Sequence, residues 1–238
     1  MTGLHRQVQL LRIAHEKVAL VFRWGKDTRL KHGGYFVGPD RFSPDELQPR
    51  KWENAVTLDK PSWGFRRDIN LNEIYHIKEL IQEIVKTVSY GGNILMNVGP
   101  TKEGTIAPIF QERLQQVGSW LKVNGDAIYK TSTWTTQRDP VARNVYYTRR
   151  GDIVYAIMIG WPSGEVVTLA APKATDLKTK ITMLGLPDQR LKFLQKSETL
   201  HIEMPSLGRL ISTCRKGCEW GYVLKLVDLK DVDAVANK

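Results

Sequence analysis

The chain has 238 residues, 35 Lys and Arg against 25 Asp and Glu for a formal charge of +10, with 42% hydrophobic and 25% charged residues. That is the composition of an ordinary globular protein, long enough for one large domain or two small ones. It excludes a helical membrane protein, because no apolar run reaches the roughly eighteen residues a spanning helix needs. The basic side chains are scattered, with no Lys/Arg block and no nucleic-acid motif, so the charge alone does not point to nucleic acid. The opening segment, "MTGLHRQVQLLRIAHEKVALVF", lacks the apolar core and small-residue cleavage site of a signal peptide. Cys214 and Cys218 are the two cysteines. They form no disulfide framework, and a C-x3-C pair without further Cys or His nearby is a poor zinc site.

Residues 1–24 read as a helix-like piece followed by the apolar run "VALVF", expected to be a strand. Residues 26–68 are irregular and carry Gly, Pro, Lys, Asp and several aromatics. A loop of that length is usually functional or disordered, and the aromatics argue against disorder. From Asn72 onward Ile74, Ile77, Ile81, Ile84, Val85 and Val88 recur at helical spacing, predicting an amphipathic helix. Asn70 or Asn72 can cap its start, and Gly91 stands where a C-terminal glycine belongs. The run "NILMNV" (residues 93–98) barely alternates, which predicts a strand covered on both faces. A loop at 99–107 follows. Pro108 then opens a second helix, where its missing N–H costs nothing, with Phe110, Leu114, Val117 and Leu121 as its stripe and Asn124-Gly125 as its end. Helix, strand and helix with short connections are the grammar of a parallel α/β sheet or barrel.

After Trp134 the grammar changes. The runs "NVYYTRR", "DIVYAIMIG", "EVVTLAA", "TKITMLG", "LKFLQK", "TLHIEM" and "EWGYVLKLVDL" are short, rich in β-branched and aromatic residues, and separated by turn signals. Such a series predicts an antiparallel sandwich or small barrel. The expected division is residues 1–134 as the α/β part and 135–238 as an all-β module, the latter closing its own core.

The order "RWG…HGGY…DRF…KWE…DKPSWGFRRD…GGNILMNVGPTKEGTI…ERL…GSWLKVNGDAIY…W" resembles the α-L-fucosidases of glycoside hydrolase family 29, of the animal lysosomal and secreted type, over their C-terminal part. "SWGFRRD" and "GGNILMNVGPTKEGTI" are specific in combination. The resemblance implies the last third of a (β/α)8-like catalytic barrel followed by a β-sandwich. It implies a retaining glycosidase that removes terminal α-L-fucose from glycans, glycoproteins or glycolipids without metal or organic cofactor, since two carboxylates suffice for that chemistry. It also implies a lysosomal or secreted, homo-oligomeric protein with no nucleic-acid or membrane partner.

By the same resemblance Asp40, in "GPDRF", corresponds to a carboxylate proposed as acid/base, and Glu53, in "KWE", is its rival. A proton donor of this kind needs a pKa raised by burial or by a neighbouring carboxylate. Arg23 matches an arginine that reaches the sugar, although Val21 and Phe22 stand where the family has Asn-Asp. Trp63, in "PSWG", matches an aromatic that packs on the apolar face of fucose, whose C6 methyl suits such a platform. His32, in "HGGY", is expected to order its loop more than to react. Each also has a plainer reading, as strand-end arginine, structural carboxylate or core tryptophan. Trp52, Trp120, Trp134 and Trp220 are expected in the core.

No segment of the sequence matches the family's nucleophile motif, a "W-x-D-G"-like stretch, so these residues alone are expected to be inactive. Two functions follow. One is an α-L-fucosidase of which this is the C-terminal part; the other is a non-catalytic copy whose sandwich serves carbohydrate binding or assembly.

Overall fold

The computed structural model describes residues 36–175, 178–186, 189–214 and 216–230. The expected strand at 18–22 lies outside them. The first element is a three-stranded parallel sheet in the order β1 (Phe36–Val37), β2 (Trp52–Thr57), β3 (Gly92–Asn97). Helix α1 (Ile77–Ser89) is the crossover between β2 and β3, and α2 (Pro108–Asn124) follows β3. This is the repeating unit of an α/β barrel.

All six residues of β2 are buried. Trp52 and Asn54 point toward the helix side: Trp52 Nε1 donates to the Tyr90 carbonyl at 3.0 Å, and Asn54 Nδ2 donates to Thr87 Oγ1 at 3.0 Å. By strand alternation Glu53, Ala55 and Thr57 line the opposite face, which is the barrel interior. The covering on both faces expected for β3 belongs instead to β2. In β3, Ile94 and Met96 pack against the helices, while Leu95 on the other face is 38% exposed. The reason is position. Among the described residues β3 pairs with β2 alone and is the edge of the sheet.

Helix α1 also starts later than its periodicity predicts. A short 3-10 turn, Leu71–Glu73, comes first, and Ile74 is then extended with ψ at 138°. Ile74 is drawn out of the helix because it bridges Asp59, and the neighbouring Tyr75 amide donates to the Leu58 carbonyl at 3.0 Å. Its side chain, 2% exposed, still reaches the core that the helical stripe builds. Glu79 accepts the His76 amide at 2.8 Å to start α1. Gly91, at φ 80°, closes it as expected. Pro108 opens α2 as expected.

All seven predicted C-terminal strands are present. They are β4 (Val145–Arg150), β5 (Ile153–Ile159), β6 (Val166–Leu169), β7 (Lys180–Met183), β8 (Phe193–Lys196), β9 (Thr199–Glu203) and β10 (Gly221–Val227), with a short helix α3 (Leu207–Cys214) before the last. They form two antiparallel sheets, β4-β5-β10-β7 and β6-β9-β8. The chain is therefore the C-terminal part of a (β/α)8-like barrel followed by a β-sandwich. Between the two sheets lies one core, including Tyr147, Ala156, Met158, Leu169, Leu200, Ile202 and Leu224. Asp139, fully buried, ties the sandwich together. It accepts the Tyr147 hydroxyl at 2.6 Å and the amides of Val141, Ala142, Ala170 and Ala171 at 2.8–3.1 Å. Burial first, then the Asp139 carboxylate, pushes the Tyr147 phenol well above its ordinary range.

The outer face of the four-stranded sheet is not free. Tyr146, Tyr155, Ile157, Ile159 and Val223 share a second core with Leu80, Ile81, Ile84, Val117 and Trp120 of α1 and α2. The helices thus pack on the barrel sheet on one side and on the sandwich on the other. The sandwich closes its inner core by itself, but its outer face is closed by the helices. Trp52, Trp120 and Trp134 are buried, and Trp220 is partly buried against the second core.

Cys214 and Cys218 are disulfide-bonded, a pairing their spacing left unassigned.

Candidate active site

The chemistry of an α/β barrel is placed at the C-terminal ends of its strands. Here those ends are Thr57 on β2 and Asn97 on β3, which are register partners. Asn97 Nδ2 donates to Thr57 Oγ1 at 3.0 Å and to the Trp63 carbonyl at 2.8 Å. Asn97 therefore fixes the backbone at Trp63 from the neighbouring strand. The loop that carries Trp63 is further pinned at its base. Arg66 forks onto Asp59 at 2.8 and 2.9 Å and reaches Glu73 at 2.8 Å. Asp59 is 3% exposed, while Arg66 stays partly in contact with water, so the bidentate pair has one buried and one wetted end. The Asn70 amide and then the Arg66 guanidinium hold the Glu73 carboxyl below its ordinary range. Lys60 pairs with Glu79 at 2.9 Å and lies 4.9 Å above the Tyr75 ring.

The abrupt end of the apolar run at Gly99-Pro100 has a steric cause. A Cβ on Gly99 would stand 2.4 Å from the Phe65 nitrogen and 2.5 Å from the Gly64 carbonyl carbon. Both are backbone atoms and cannot swing aside. The exit of β3 thus passes directly against the "SWGF" loop, and only glycine allows the approach. Gly99→Ala is expected to force these two loops apart and to cost about 1–3 kcal/mol, the range of overpacking with backbone displacement. Chemical denaturation of the 238-residue chain checks this. A loss below about 0.5 kcal/mol, the range of neutral surface changes, would mean the contact is not tight.

Asp40 is exposed on the loop after β1. Its neighbour Arg41, at φ 58°, donates its amide to the Ala55 carbonyl at 2.9 Å and its guanidinium to the Lys60 carbonyl. The Asp40 loop is thereby fastened to β2 and to the base of the Trp63 loop. Glu53 is 7% exposed and is the second residue of β2, opposite Asn93 of β3. It faces the barrel interior but near the strand's N-terminal end, away from the mouth. Glu53 is thus a buried carboxylate within the strand, while Asp40 sits on the loop that leaves a strand end, where barrel chemistry is placed. Trp63 is partly buried beside the strand ends. Arg23 and His32 lie outside the described residues.

Asn97, Arg41 and the Asp59–Arg66 pair carry no motif of their own in the sequence; the stop of the apolar run at Gly99 is visible there, but its steric cause is not. Asn97 leaves one signal, as a polar residue that interrupts the apolar run two positions before Gly99. Among the described residues no group of three or more His, Cys, Asp or Glu could hold a metal ion, and no helix is long and apolar enough to cross a membrane.

Two family models match the chain: α-L-fucosidase over residues 3–126 and the α-L-fucosidase C-terminal domain over residues 137–227. The human plasma α-L-fucosidase is 43% identical over 210 residues, covering 87% of this chain and 44% of that protein. The human tissue α-L-fucosidase is 41% identical over 215 residues, covering 90% of this chain and 45% of that protein. The chain therefore spans less than half the length of these relatives. The structure of a Thermotoga maritima α-fucosidase in complex with fucose superposes with a TM-score of 0.64 at 30% identity, covering 76% of this chain and 41% of that one. With one family model matching residues 3–126 and the family's C-terminal domain matching residues 137–227, the chain belongs to the α-L-fucosidase family of glycoside hydrolases.

Proposed function

We propose that this sequence is the acid/base side and sandwich of a retaining α-L-fucosidase that removes terminal α-L-fucose from glycoconjugates. The observation that supports it most is the junction of three loops at the strand ends. Asn97 and Gly99 hold the Trp63 loop, and Arg41 fastens the Asp40 loop to the same place. A carboxylate and an aromatic platform are what such a half-site needs. In the retaining mechanism one carboxylic acid protonates the departing glycosidic oxygen while a second carboxylate attacks the anomeric carbon. Water, deprotonated by the first group, then releases the sugar.

In this reading Asp40 is the proton donor and then the base, with Glu53 as the rival. Trp63 packs against the apolar face of fucose, and Arg23 donates to its oxygens. His32 orders its loop. The nucleophilic carboxylate must come from outside residues 1–238, none of which matches the nucleophile motif. Secretion or lysosomal residence is the proposed setting. The names of the plasma and tissue relatives support it, and so does the Cys214–Cys218 bond, since disulfides persist in oxidising compartments.

The test compares residues 1–238 with the longest translated product that contains them, on an aryl α-L-fucoside. The longer protein is expected to release the aryl group with retained anomeric configuration, and residues 1–238 alone to release none above buffer. Heat-labile release by residues 1–238, surviving chromatography, would contradict the missing nucleophile. An inactive longer protein would favour the non-catalytic reading.

A further inference from the structure

The disulfide lies where the sandwich meets the barrel helices. Its ring contains Gly217, at φ 90°, whose carbonyl accepts Asn124 Nδ2 at 3.1 Å. A Cβ on Gly217 would stand 2.3 Å from the Ser119 carbonyl oxygen and 2.9 Å from Val123 Cγ2. The ring backbone is therefore seated directly on the last turn of α2. From the other side a Cβ on Gly185, which follows β7, would stand 2.3 Å from Cys218 Sγ and 3.3 Å from Val123 Cγ1. Three residues after Cys218, the Gly221 carbonyl accepts Trp120 Nε1 at 2.8 Å. Asn124 is 1% exposed and Trp120 fully buried, so these two contacts are sealed from water. Cys218 is buried and Cys214 only partly so.

We propose that the Cys214–Cys218 disulfide is a redox-sensitive latch that keeps the sandwich seated on the last turn of α2. Closed, the bond holds Cys218 and the preceding Gly217 in place, with the Gly217 carbonyl presented to Asn124. Opened, that backbone, with a glycine at its contact point, regains the freedom glycine has in abundance. The opening reaction is thiol–disulfide exchange with a dithiol. A dithiol thiolate attacks the more accessible Cys214 sulfur, the S–S bond breaks, and Cys218 leaves as a thiolate that takes up a proton. The second dithiol sulfur then displaces Cys214, which is protonated in turn. The protein disulfide gains two electrons and two protons, and the dithiol becomes a disulfide.

Hydrogen exchange of the 238-residue chain with and without dithiothreitol tests this. Before reduction, iodoacetamide should label neither cysteine. After reduction, amides of residues 119–124 and 217–223 should exchange roughly tenfold faster or more, as expected for local opening once the cross-link is lost. Amides of β6, β8 and β9 should change less than about twofold, because they lie outside that opening unit. The double variant Cys214→Ser/Cys218→Ser should behave as the reduced protein and no longer respond to dithiothreitol. Asn124→Ala should loosen the same amides with the disulfide intact. Labelling of both cysteines before reduction, unchanged exchange at 119–124 after it, or equal acceleration throughout the sandwich would each overturn the latch.

Discussion

Replacing Trp120 by alanine is expected to destabilise the whole chain by about 3–5 kcal/mol, the range for deleting a buried large aromatic side chain. Trp120 is fully buried on α2, and its indole N–H is bonded to the Gly221 carbonyl at the start of β10. Around it, a Cβ on Gly221 would stand 3.0 Å from Ile81 Cγ2 and 3.2 Å from Trp120 Nε1. α1, α2 and β10 therefore meet at this one side chain. Its removal leaves a cavity between the helices and the sandwich and an unpaired carbonyl beside it. For a domain of ordinary stability, about 5–15 kcal/mol, that is a large share. Denaturant unfolding, followed by far-ultraviolet signal for the helices and near-ultraviolet signal for the aromatic sandwich, should show both signals shifted together. Leu207→Ala, at a side chain 37% exposed on α3, is the control and should fall within about 0.5 kcal/mol. If Trp120→Ala shifts only the helical signal, the sandwich does not depend on the helices for its outer face.

The second core bears on how residues 135–238 would behave alone. Tyr146, Tyr155, Ile157, Ile159 and Val223 would then face water, an apolar patch of the kind that promotes association. The sequence carried this information in a form easy to overlook. β5 reads "IVYAIMI" and is buried along nearly its whole length, whereas β8 and β9 alternate. A continuous apolar run marks a strand covered on both faces, alternation a strand with one wet face. The same rule applied to β3 misled. Its apolar character suits a closed barrel, and its exposed Leu95 reflects the absence of a further paired strand among the described residues.

Self-contained local signals were legible in the sequence. Gly91, Pro108 and all seven sandwich strands stand where the sequence puts them. Long-range signals were not. Ile74 leaves the helix because Asp59, fifteen residues earlier in the chain, captures it as a bridge partner. No periodicity within the helix encodes that. The mouth is similar. The Asp40 and Trp63 motifs were legible by resemblance, but what joins them is a guanidinium on a backbone carbonyl and an asparagine on another. Backbone carbonyls are the same at every residue, so such partners leave no trace in composition or spacing.

This last third of the barrel is proposed to supply the proton donor, and Asp40 is the residue assigned to it. Within a catalytically competent protein carrying this sequence, Asp40→Asn removes the transferable proton while leaving the loop bonds of Arg41 in place. General acid catalysis contributes typically about 10²–10⁴-fold, and it matters little when the leaving group departs readily as an anion. The measurement is kcat/KM for two α-L-fucosides, one with a nitrophenol and one with a sugar alcohol as leaving group, in the native protein and in Asp40→Asn and Glu53→Gln. The expected result is a loss of about 10²-fold or more for Asp40→Asn on the sugar alcohol, a loss below about tenfold on the nitrophenol, and no such split for Glu53→Gln. The split appearing in Glu53→Gln and not in Asp40→Asn would move the proton donor to the buried face of β2 and contradict the assignment.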